Sequence, residues 1–298
     1  MIYKTNFKNY LFVLLTISMI LSCNKSEFTE VIIQGNIVNP MGNTIQLVGP
    51  GEMEDGTLSL NFQKEANVDE NGNFIDTLNL KSSGYFFFIH GRERTQLFLE
   101  PGDNLTINLD SKQFDESITF SGEGSENNTF LKKRFLFQEN NRVNVIEMSK
   151  LESKEYLNQV DSLKQWELSF LKENQNISNN FINIEKKNSH YKFLQALERY
   201  PLYHEFYAKK EAVYDESFMS PLNSIDYTNQ DDYILFPDFK NLVMSYYQNI
   251  FNKSDNLKED LRKLNLSKST IIKRDLVNQG VYLLSAGNEK NKDLYETL

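Results

Sequence analysis

The chain of 298 residues contains a single cysteine, Cys23, which lies close to the amino terminus. Without a second thiol the chain cannot form an internal disulfide or the Cys-x-x-Cys pair of a dithiol redox site. The folded part therefore has to be stabilised by its core, for which a hydrophobic content of 40% is sufficient.

Basic residues are also few: 32 Lys and Arg stand against 41 Asp and Glu, which gives a formal net charge of −9. Binding to a nucleic-acid backbone needs clustered positive charge that displaces counterions, and the sequence has no basic stripe. Adhesion to an anionic membrane surface needs the same kind of charge. We therefore expect no nucleic-acid partner and no purely electrostatic contact with a membrane.

Long hydrophobic runs are absent apart from residues 11–21 (Leu-Phe-Val-Leu-Leu-Thr-Ile-Ser-Met-Ile-Leu). This run is too short to span a bilayer comfortably. Lys4 and Lys8 precede it, and the small residue Ser22 follows it, directly before Cys23. A basic start, a short apolar stretch and a small residue at the end are the parts of a secretory signal.

Residues 20–23 (Ile-Leu-Ser-Cys) resemble a lipobox. The resemblance implies that residues 1–22 are a lipoprotein signal peptide, that Cys23 is acylated and that residues 23–30 form a tether to the membrane. The protein would then be held in the cell envelope by a lipid anchor, facing the periplasm or the cell surface. The alternative interpretation is an ordinary secretory signal with a chance cysteine nearby.

Patterns typical of catalysis and metal binding are missing as well. His90, His190 and His204 do not have the i, i+4 spacing of a helical zinc pair, and no Gly-x-Ser-x-Gly elbow is present. Residues 69–72 (Asp-Glu-Asn-Gly) lack the glycine position of a calcium loop. The sequence therefore predicts no catalytic residue, no cofactor and no metal ligand.

The first part of the mature chain, residues 31–122, has the short alternating segments of an antiparallel β-sandwich or barrel-like sheet. The predicted strands are 31–38, 44–48, 58–62, 65–68, 74–80, 85–89, 96–100, 105–109 and 117–120. Residues 69–72 and 101–104 (Pro-Gly-Asp-Asn) have the composition of hairpin turns. Residues 85–89 (Tyr-Phe-Phe-Phe-Ile) predict a strand buried on both faces, and His90, at its end, is expected at a sheet edge.

The remaining residues, 123–298, have the near-3.6 spacing of helices, so the fold class is α+β: a β-domain followed by an all-helical region. One amphipathic helix carries Tyr156, Val160 and Leu163 on its apolar face. The other predicted helices are 128–137, 180–199, 202–215, 239–252, 256–264 and 268–285. Pro201 is expected to separate two of them.

The junction between the two parts, residues 122–127 (Gly-Glu-Gly-Ser-Glu-Asn), has some glycines of a dinucleotide fingerprint. The third glycine is replaced by Asn127 and no parallel βαβ unit surrounds it. We interpret it as a strand-to-helix junction with Ser125 as the helix N-cap.

Two triplets match the Asp-Ser/Thr-apolar pattern that some exported bacterial lipoproteins use for O-glycosylation. They lie at residues 76–78 (Asp-Thr-Leu) and 161–163 (Asp-Ser-Leu). The possible acceptors are Thr77 and Ser162.

The β-domain resembles the small domain of unknown function at the front of exported thiol–disulfide oxidoreductases of the TlpA/ResA type. The segments that carry the resemblance are 67–74 (Asn-Val-Asp-Glu-Asn-Gly-Asn-Phe), 98–107 (Phe-Leu-Glu-Pro-Gly-Asp-Asn-Leu-Thr-Ile) and 120–127 (Phe-Ser-Gly-Glu-Gly-Ser-Glu-Asn). In that family a lipobox, a β-domain and a helical region precede a thioredoxin-like domain. The first three parts occur here in that order, but no Cys-x-x-Cys follows Cys23.

We therefore expect an envelope lipoprotein whose non-catalytic β-domain and helical region tether or recognise a partner. One alternative is that the chain is the truncated front of a membrane-anchored thiol–disulfide oxidoreductase, in which case the missing thioredoxin-like domain is what it tethers. Another alternative is a ligand-binding lipoprotein, which would require a concave aromatic patch on the β-domain. Fold analogy by itself does not decide among them.

Overall fold

The structure, a computed structural model, describes residues 30–50, 53–54, 57–58, 61–174, 176–253 and 269–285. The signal segment, Cys23 and the predicted helix at 256–264 lie outside the described residues.

The first part of the chain forms two four-stranded sheets. The first sheet has the strand order β10-β9-β1-β6 and the second has the order β5-β2-β7-β8, while β3 and β4 form a separate short ribbon. All pairs are antiparallel except β1 with β9, which is parallel. The strands are β1 Glu30–Val38, β2 Thr44–Pro50, β3 Met53–Glu54, β4 Thr57–Leu58, β5 Asn61–Asn67, β6 Asn73–Asn79, β7 Gly84–His90, β8 Glu93–Leu99, β9 Asn104–Asp110 and β10 Thr119–Gly122.

The alternating apolar residues of both sheets face each other and form a common core, with Ile33 of β1, Leu47 of β2 and Phe88 of β7 almost fully buried. Asp76 of β6 is a polar residue in this pattern, and its Oδ1 lies 2.8 Å from Lys64 Nζ of β5. The ion pair explains why a carboxylate occupies a position of the buried face.

The two segments predicted as hairpins both form turns, but each turn connects strands of different sheets. The turn at 69–72 leads from β5 to β6, and Val68 and Phe74 form an isolated bridge between them. Asp69 Oδ1 accepts from the N–H groups of Asn71 and Asn73, and Gly72 has φ +83°. The turn at 101–104 likewise leads from β8 to β9. The hairpin prediction was wrong because long-range pairing with β1, rather than turn chemistry, decides which sheet the next strand joins.

The prediction that β7 is buried on both faces is only partly correct. Phe86 and Phe88 face the core, but Phe87 on the other face is exposed. The sheet-edge prediction for His90 was wrong, because β7 lies between β2 and β8. The His90 side chain is fully buried: its Nε2 accepts from Met41 N–H at 2.8 Å, and its Nδ1 lies 2.9 Å from the Thr44 carbonyl oxygen.

Helices make up the rest of the described chain. They are α1 Phe114–Ser117, α2 Ser125–Asn140, α3 Val145–Ser149, α4 Ser153–Glu173, α5 Asn179–Ala208, α6 Glu216–Met219, α7 Gln230–Leu235, α8 Pro237–Lys253 and α9 Thr270–Ser285. Short 3₁₀ turns lie at Ser111–Gln113 and Ser220–Ser224. The α+β class is confirmed, and α4 buries Tyr156 and Val160 on its apolar face as predicted.

Pro201 does not separate two helices, and the predicted helix 202–215 is not formed; α5 continues through the proline to Ala208. A proline inside a helix costs about 3 kcal/mol. Leu197, Tyr200 and His204 on either side of it are almost completely buried. Burying a large apolar side chain stabilises by roughly 1.5–3 kcal/mol, so the packing of Leu197 and Tyr200 outweighs the local penalty.

The N-cap prediction for Ser125 was also wrong by one residue. Gly124 caps α2 with φ +87°, and Ser125 is its first residue. A Cβ on Gly124 would lie 2.5 Å from Asp103 Oδ2, so the closeness of the 101–104 turn requires glycine at this position.

The close pairing of β1 with β9 gives a test of the sheet topology. A Cβ on Gly35 would lie 1.7 Å from the Ile107 carbonyl oxygen, whereas one on Gly42 would meet nothing within 4 Å. We expect Gly35→Ala to lower the free energy of unfolding by at least about 2 kcal/mol, because the backbone carbonyl of Ile107 cannot move away from the new methyl group as a flexible side chain could. Gly42→Ala is the control, with a change within about 0.5 kcal/mol. Urea denaturation measures both, and equal midpoints would contradict the β1–β9 pairing.

Candidate functional site

The helical region is attached to the β-domain through the outer face of the second sheet. Phe98 of β8 is buried there, and its ring centroid lies 4.8 Å from that of Phe181 on α5. Phe130 of α2 contacts Phe181 at 5.4 Å, and Tyr85 of β7 contacts Phe98 at 5.2 Å. The aromatic rings of two strands and two helices thus form one continuous cluster.

A buried ionic network lies beside this cluster. Arg134 of α2 forms an ion pair with Glu185 of α5, and Tyr85 Oη donates to Glu185 Oε1 at 2.6 Å. Both charged side chains are less than a tenth exposed. Burial by itself would raise the pKa of Glu185, but the charge of Arg134 and the hydrogen bond from Tyr85 outweigh it and lower that pKa. The carboxylate therefore stays ionised, and it joins β7, α2 and α5.

Two asparagines at the start of α2 complete the attachment. Asn128 Oδ1 accepts from Phe98 N–H at 2.8 Å, and its Nδ2 donates to the Phe98 carbonyl at 2.9 Å. Asn127 Oδ1 accepts from Ser178 N–H at 2.9 Å, and its Nδ2 donates to Glu100 Oε2 at 2.9 Å. Since β8 is an edge strand, the amide of Asn128 takes the place of a neighbouring strand at Phe98 and protects the edge.

Removing one partner of the ionic network tests this attachment. Arg134→Met leaves the Glu185 carboxylate buried without a cation, and we expect the free energy of unfolding to fall by about 3–5 kcal/mol. The double variant Arg134→Met/Glu185→Leu should recover most of that loss, because no buried charge remains. Denaturant unfolding measures all the variants.

The matched control is Arg142→Met. Arg142 pairs with Glu139 at the surface, where both side chains are largely exposed. Its removal should change stability by less than about 1 kcal/mol. A loss as large as that for Arg134→Met, or no recovery in the double variant, would contradict the role given to the buried pair.

A groove with a volume of about 400 Å³ lies next to this junction, between α2, α4 and α5. Its walls are mostly apolar and include Phe137, Val160, Leu163, Trp166, Phe193 and Ala196. Phe137 of α2 and Trp166 of α4 stack with ring centroids 4.5 Å apart. The volume lies within the range of small-molecule sites, roughly 300–1,000 Å³.

Charged groups line one end of the groove. Lys192 Nζ of α5 lies 2.8 Å from Glu167 Oε1 of α4. Lys164 Nζ lies 4.4 Å from the centre of the Phe193 ring and 3.5 Å from His190 Nδ1. Burial, and then the charge of Lys164, lower the pKa of His190 below its ordinary value, so His190 is neutral at pH 7.

Ser189 is the buried polar group of the groove. It is only 3% exposed and lines the cavity. Within the described ranges its Oγ has no hydrogen-bond partner. An unsatisfied buried hydroxyl costs about 1–3 kcal/mol of stability, and the oxygen itself is enclosed by protein.

Exposed apolar side chains occur at the groove and next to it. Phe137, Val143 and Leu163 line the groove and are 41%, 44% and 37% exposed, while Val145 and Ile146 on α3 are 50% and 46% exposed. They lie at the end of α2, in the loop that follows it, at the start of α3 and on α4. Single exposed apolar residues are ordinary, but a group gathered around one cavity is typical of a binding surface.

The concave aromatic patch expected of a ligand-binding β-domain is not found at the large cavity of the first sheet. This cavity, of about 920 Å³, is lined mainly by polar side chains, among them Gln34, Asn36, Asn73 and Asn108. Phe74, the aromatic residue among its lining side chains, is buried in the core.

The residues that the sequence singled out are spread over the molecule. Thr77 lies exposed on β6 and Ser162 exposed on α4, where its Oγ donates to the Asn158 carbonyl, so both acceptor assignments stay predictions. His204 lies in the helical region, where its Nδ1 is 3.0 Å from the Ser149 carbonyl oxygen. His90 lies in the β-domain, so the two histidines are not brought together. No group of three or more metal-ligating side chains occurs among the residues that the structure describes.

Lys164, Trp166 and Ser189 were not predicted as site residues. The one signal available was that Trp166 is the single tryptophan of the chain.

Comparison with known proteins gives little further information. No family model and no curated protein matches the chain. One similar solved structure is the crystal structure of a proposed cell adhesion protein from Bacteroides ovatus, with 10% sequence identity and a TM-score of 0.22. The match covers 32% of this chain and 43% of that chain, and a likeness this weak carries no argument about function.

Proposed function

We propose that the protein is a lipid-anchored protein of the cell envelope that recognises an apolar partner through the groove between α2, α4 and α5. It carries out no reaction itself, and its β-domain supports the groove. The observation that carries this proposal is the group of exposed apolar side chains around the groove, because exposed apolar surface of this kind is costly unless it binds something.

The firm attachment of the helices to the β-domain supports this role. The groove lies between helices that Arg134, Glu185 and Asn128 fix to the second sheet. A preformed groove binds more tightly than a flexible one, because less conformational entropy is lost on binding.

The position of Cys23 supports the anchor. Residues 23–30 can extend over at most about 25 Å, since each residue spans at most about 3.5 Å. They lead into β1, an inner strand of the first sheet, so an acylated Cys23 would hold the sandwich close to the membrane. Among the helices that the structure describes, none has the length and apolar character needed to cross a bilayer.

Metabolic labelling tests the anchor. With an alkyne fatty acid in the growth medium, we expect label on the wild-type protein and recovery of the protein with membranes. Cys23→Ala should lose both, whereas Ser26→Ala, a neighbouring change that leaves the thiol in place, should lose neither. A labelled Cys23→Ala variant would refute acylation at this residue.

Photo-crosslinking in intact cells tests the groove. A benzophenone amino acid in place of Val143, an exposed residue that lines the groove, should give a defined adduct, detected as an increase in mass. The same group in place of Lys172, an exposed residue of α4 outside the groove, should not. The absence of an adduct at Val143, or equal adducts at both positions, would count against recognition at this surface.

A further inference from the structure

We propose that a second cavity of the helical region, a cleft between α5 and α8, binds a neutral oligosaccharide. The site goes beyond the proposed function, because it shares no lining residue with the groove between α2, α4 and α5. Three observations carry it: tyrosine rings and side-chain amides line the cleft together, its charges compensate each other, and the main chain of its two helical walls is already paired.

The cleft lies between the C-terminal half of α5, helix α8 and the intervening segment 214–227. Its volume is about 950 Å³, at the upper end of the range for ligand sites, roughly 300–1,000 Å³. Asn249 Nδ2 of α8 lies 3.4 Å from Glu198 Oε1 of α5 and so connects the two helical walls. A cavity of this size has room for several linked rings rather than a single small molecule.

Tyrosine is the most frequent residue type in the lining, which includes Tyr203, Tyr214, Tyr227 and Tyr246. Tyr227 and Tyr246 stack with ring centroids 3.7 Å apart and planes 5° from parallel, so the partner ring covers one face of each. Tyrosine combines an apolar ring with a polar hydroxyl. A sugar ring has the same two properties, since its C–H groups form flat apolar patches and its hydroxyls lie around the edge.

The polar side chains of the cleft have unused hydrogen-bonding capacity. In the part of the chain that the structure describes, the amides of Asn223 and Gln248 bond to no other protein group, and neither do the hydroxyls of Tyr203, Tyr214 and Tyr246. A side-chain amide holds donors and an acceptor in one plane, which suits neighbouring hydroxyls of a sugar. Tyrosine for contact area, together with Asn and Ser for hydrogen bonds, is also the composition of antibody recognition surfaces.

The charges at the cleft favour an uncharged ligand. Among the described residues, the charged ones in the lining are Glu198 and Arg199, whose positive charge favours the ionised form of the Glu198 carboxyl and so lowers its pKa against the effect of burial. Arg199 also acts on Asp238 behind it, so it is shared between two carboxylates. No surplus positive charge is left for a phosphate or a carboxylate, and Glu198 is already compensated, so a cation gains little.

The helical walls also disfavour a peptide. An extended peptide is held mainly by main-chain hydrogen bonds to an unpaired strand edge, and an amphipathic helix needs an apolar groove. The main chains of α5 and α8 pair within their own helices, so these two walls offer a ligand their side chains. A ligand rich in hydroxyl groups satisfies such walls without any main chain of its own.

Calorimetric titration of the full chain in phosphatidylcholine vesicles tests the class of ligand. The neutral probes are hexasaccharides of glucose, mannose, galactose and xylose, while hexagalacturonate is the anionic probe and tetramethylammonium the cationic one. We expect saturable binding of at least one neutral hexasaccharide, at an affinity at least tenfold above that of both charged probes. Binding of none of the neutral probes, or equal or tighter binding of a charged probe, would overturn the proposal.

Variants assign binding to the cleft. Gln248→Ala should weaken binding of the best hexasaccharide about fivefold, which corresponds to one hydrogen bond. Tyr246→Ala should weaken it at least tenfold, and Tyr246→Phe, which keeps the ring, should lose less. Gln159→Ala is the matched control, because Gln159 is an exposed glutamine of α4 that lines neither cavity, and it should bind as the wild type does. Unchanged affinity in Gln248→Ala and Tyr246→Ala would overturn the assignment.

Unfolding temperatures separate binding from a structural role. Tyr246→Ala removes the stacking partner of Tyr227 and is expected to unfold at a lower temperature. Gln248→Ala removes a side chain that bonds to no other described group, so it should unfold at the temperature of the wild type while still losing affinity. A lower unfolding temperature for Gln248→Ala would show that the amide supports the fold and would overturn its role in binding.

Discussion

The buried carboxylate of Glu185 is the constraint on which the arrangement of the whole molecule depends. A charge in this position is tolerated only if its partners are in place, and the partners come from α2 and from β7. A buried pair of this kind contributes little net stability compared with an apolar replacement, but it penalises every arrangement in which the three elements are displaced. We interpret it as the group that sets how the helices lie on the second sheet.

The groove takes its shape from this attachment, because the same helix faces continue into it. One face of α5 carries, in order, Glu185, Ser189, Lys192 and Ala196, at the spacing of one helix face. On α2, Arg134 is followed by Gln138, and Asn141 comes directly after the helix; both line the groove. The ion pair of Arg134 and Glu185 thus lies at one end of a face of α2 and a face of α5. Further along, the same two faces line the groove. A shift of α5 by one turn would move the groove lining together with the ion pair.

Local patterns predicted most of the elements, whereas the relations between distant elements were not predictable. Alternation gave most strands of the sandwich, although β5 was predicted as two segments, 58–62 and 65–68, and β3 was not predicted. Helical spacing gave α4, α8 and α9. The turn at 69–72 is compatible with a hairpin or with a step to the other sheet, and the choice depends on β1, which is more than 30 residues away. Pro201 has a clear local cost, but the burial of Tyr200 and His204 can be known only from the packed structure.

The candidate site was hidden for the same reason. Periodicity identifies the face of a helix that is buried, but it does not show where two packed helices leave space between them, and the groove depends on that space. Ser189 reads as an ordinary helical serine, and Lys164 as a solvated charge. Only the structure shows that one is buried without a partner and that the other lies against an aromatic ring at the same cavity.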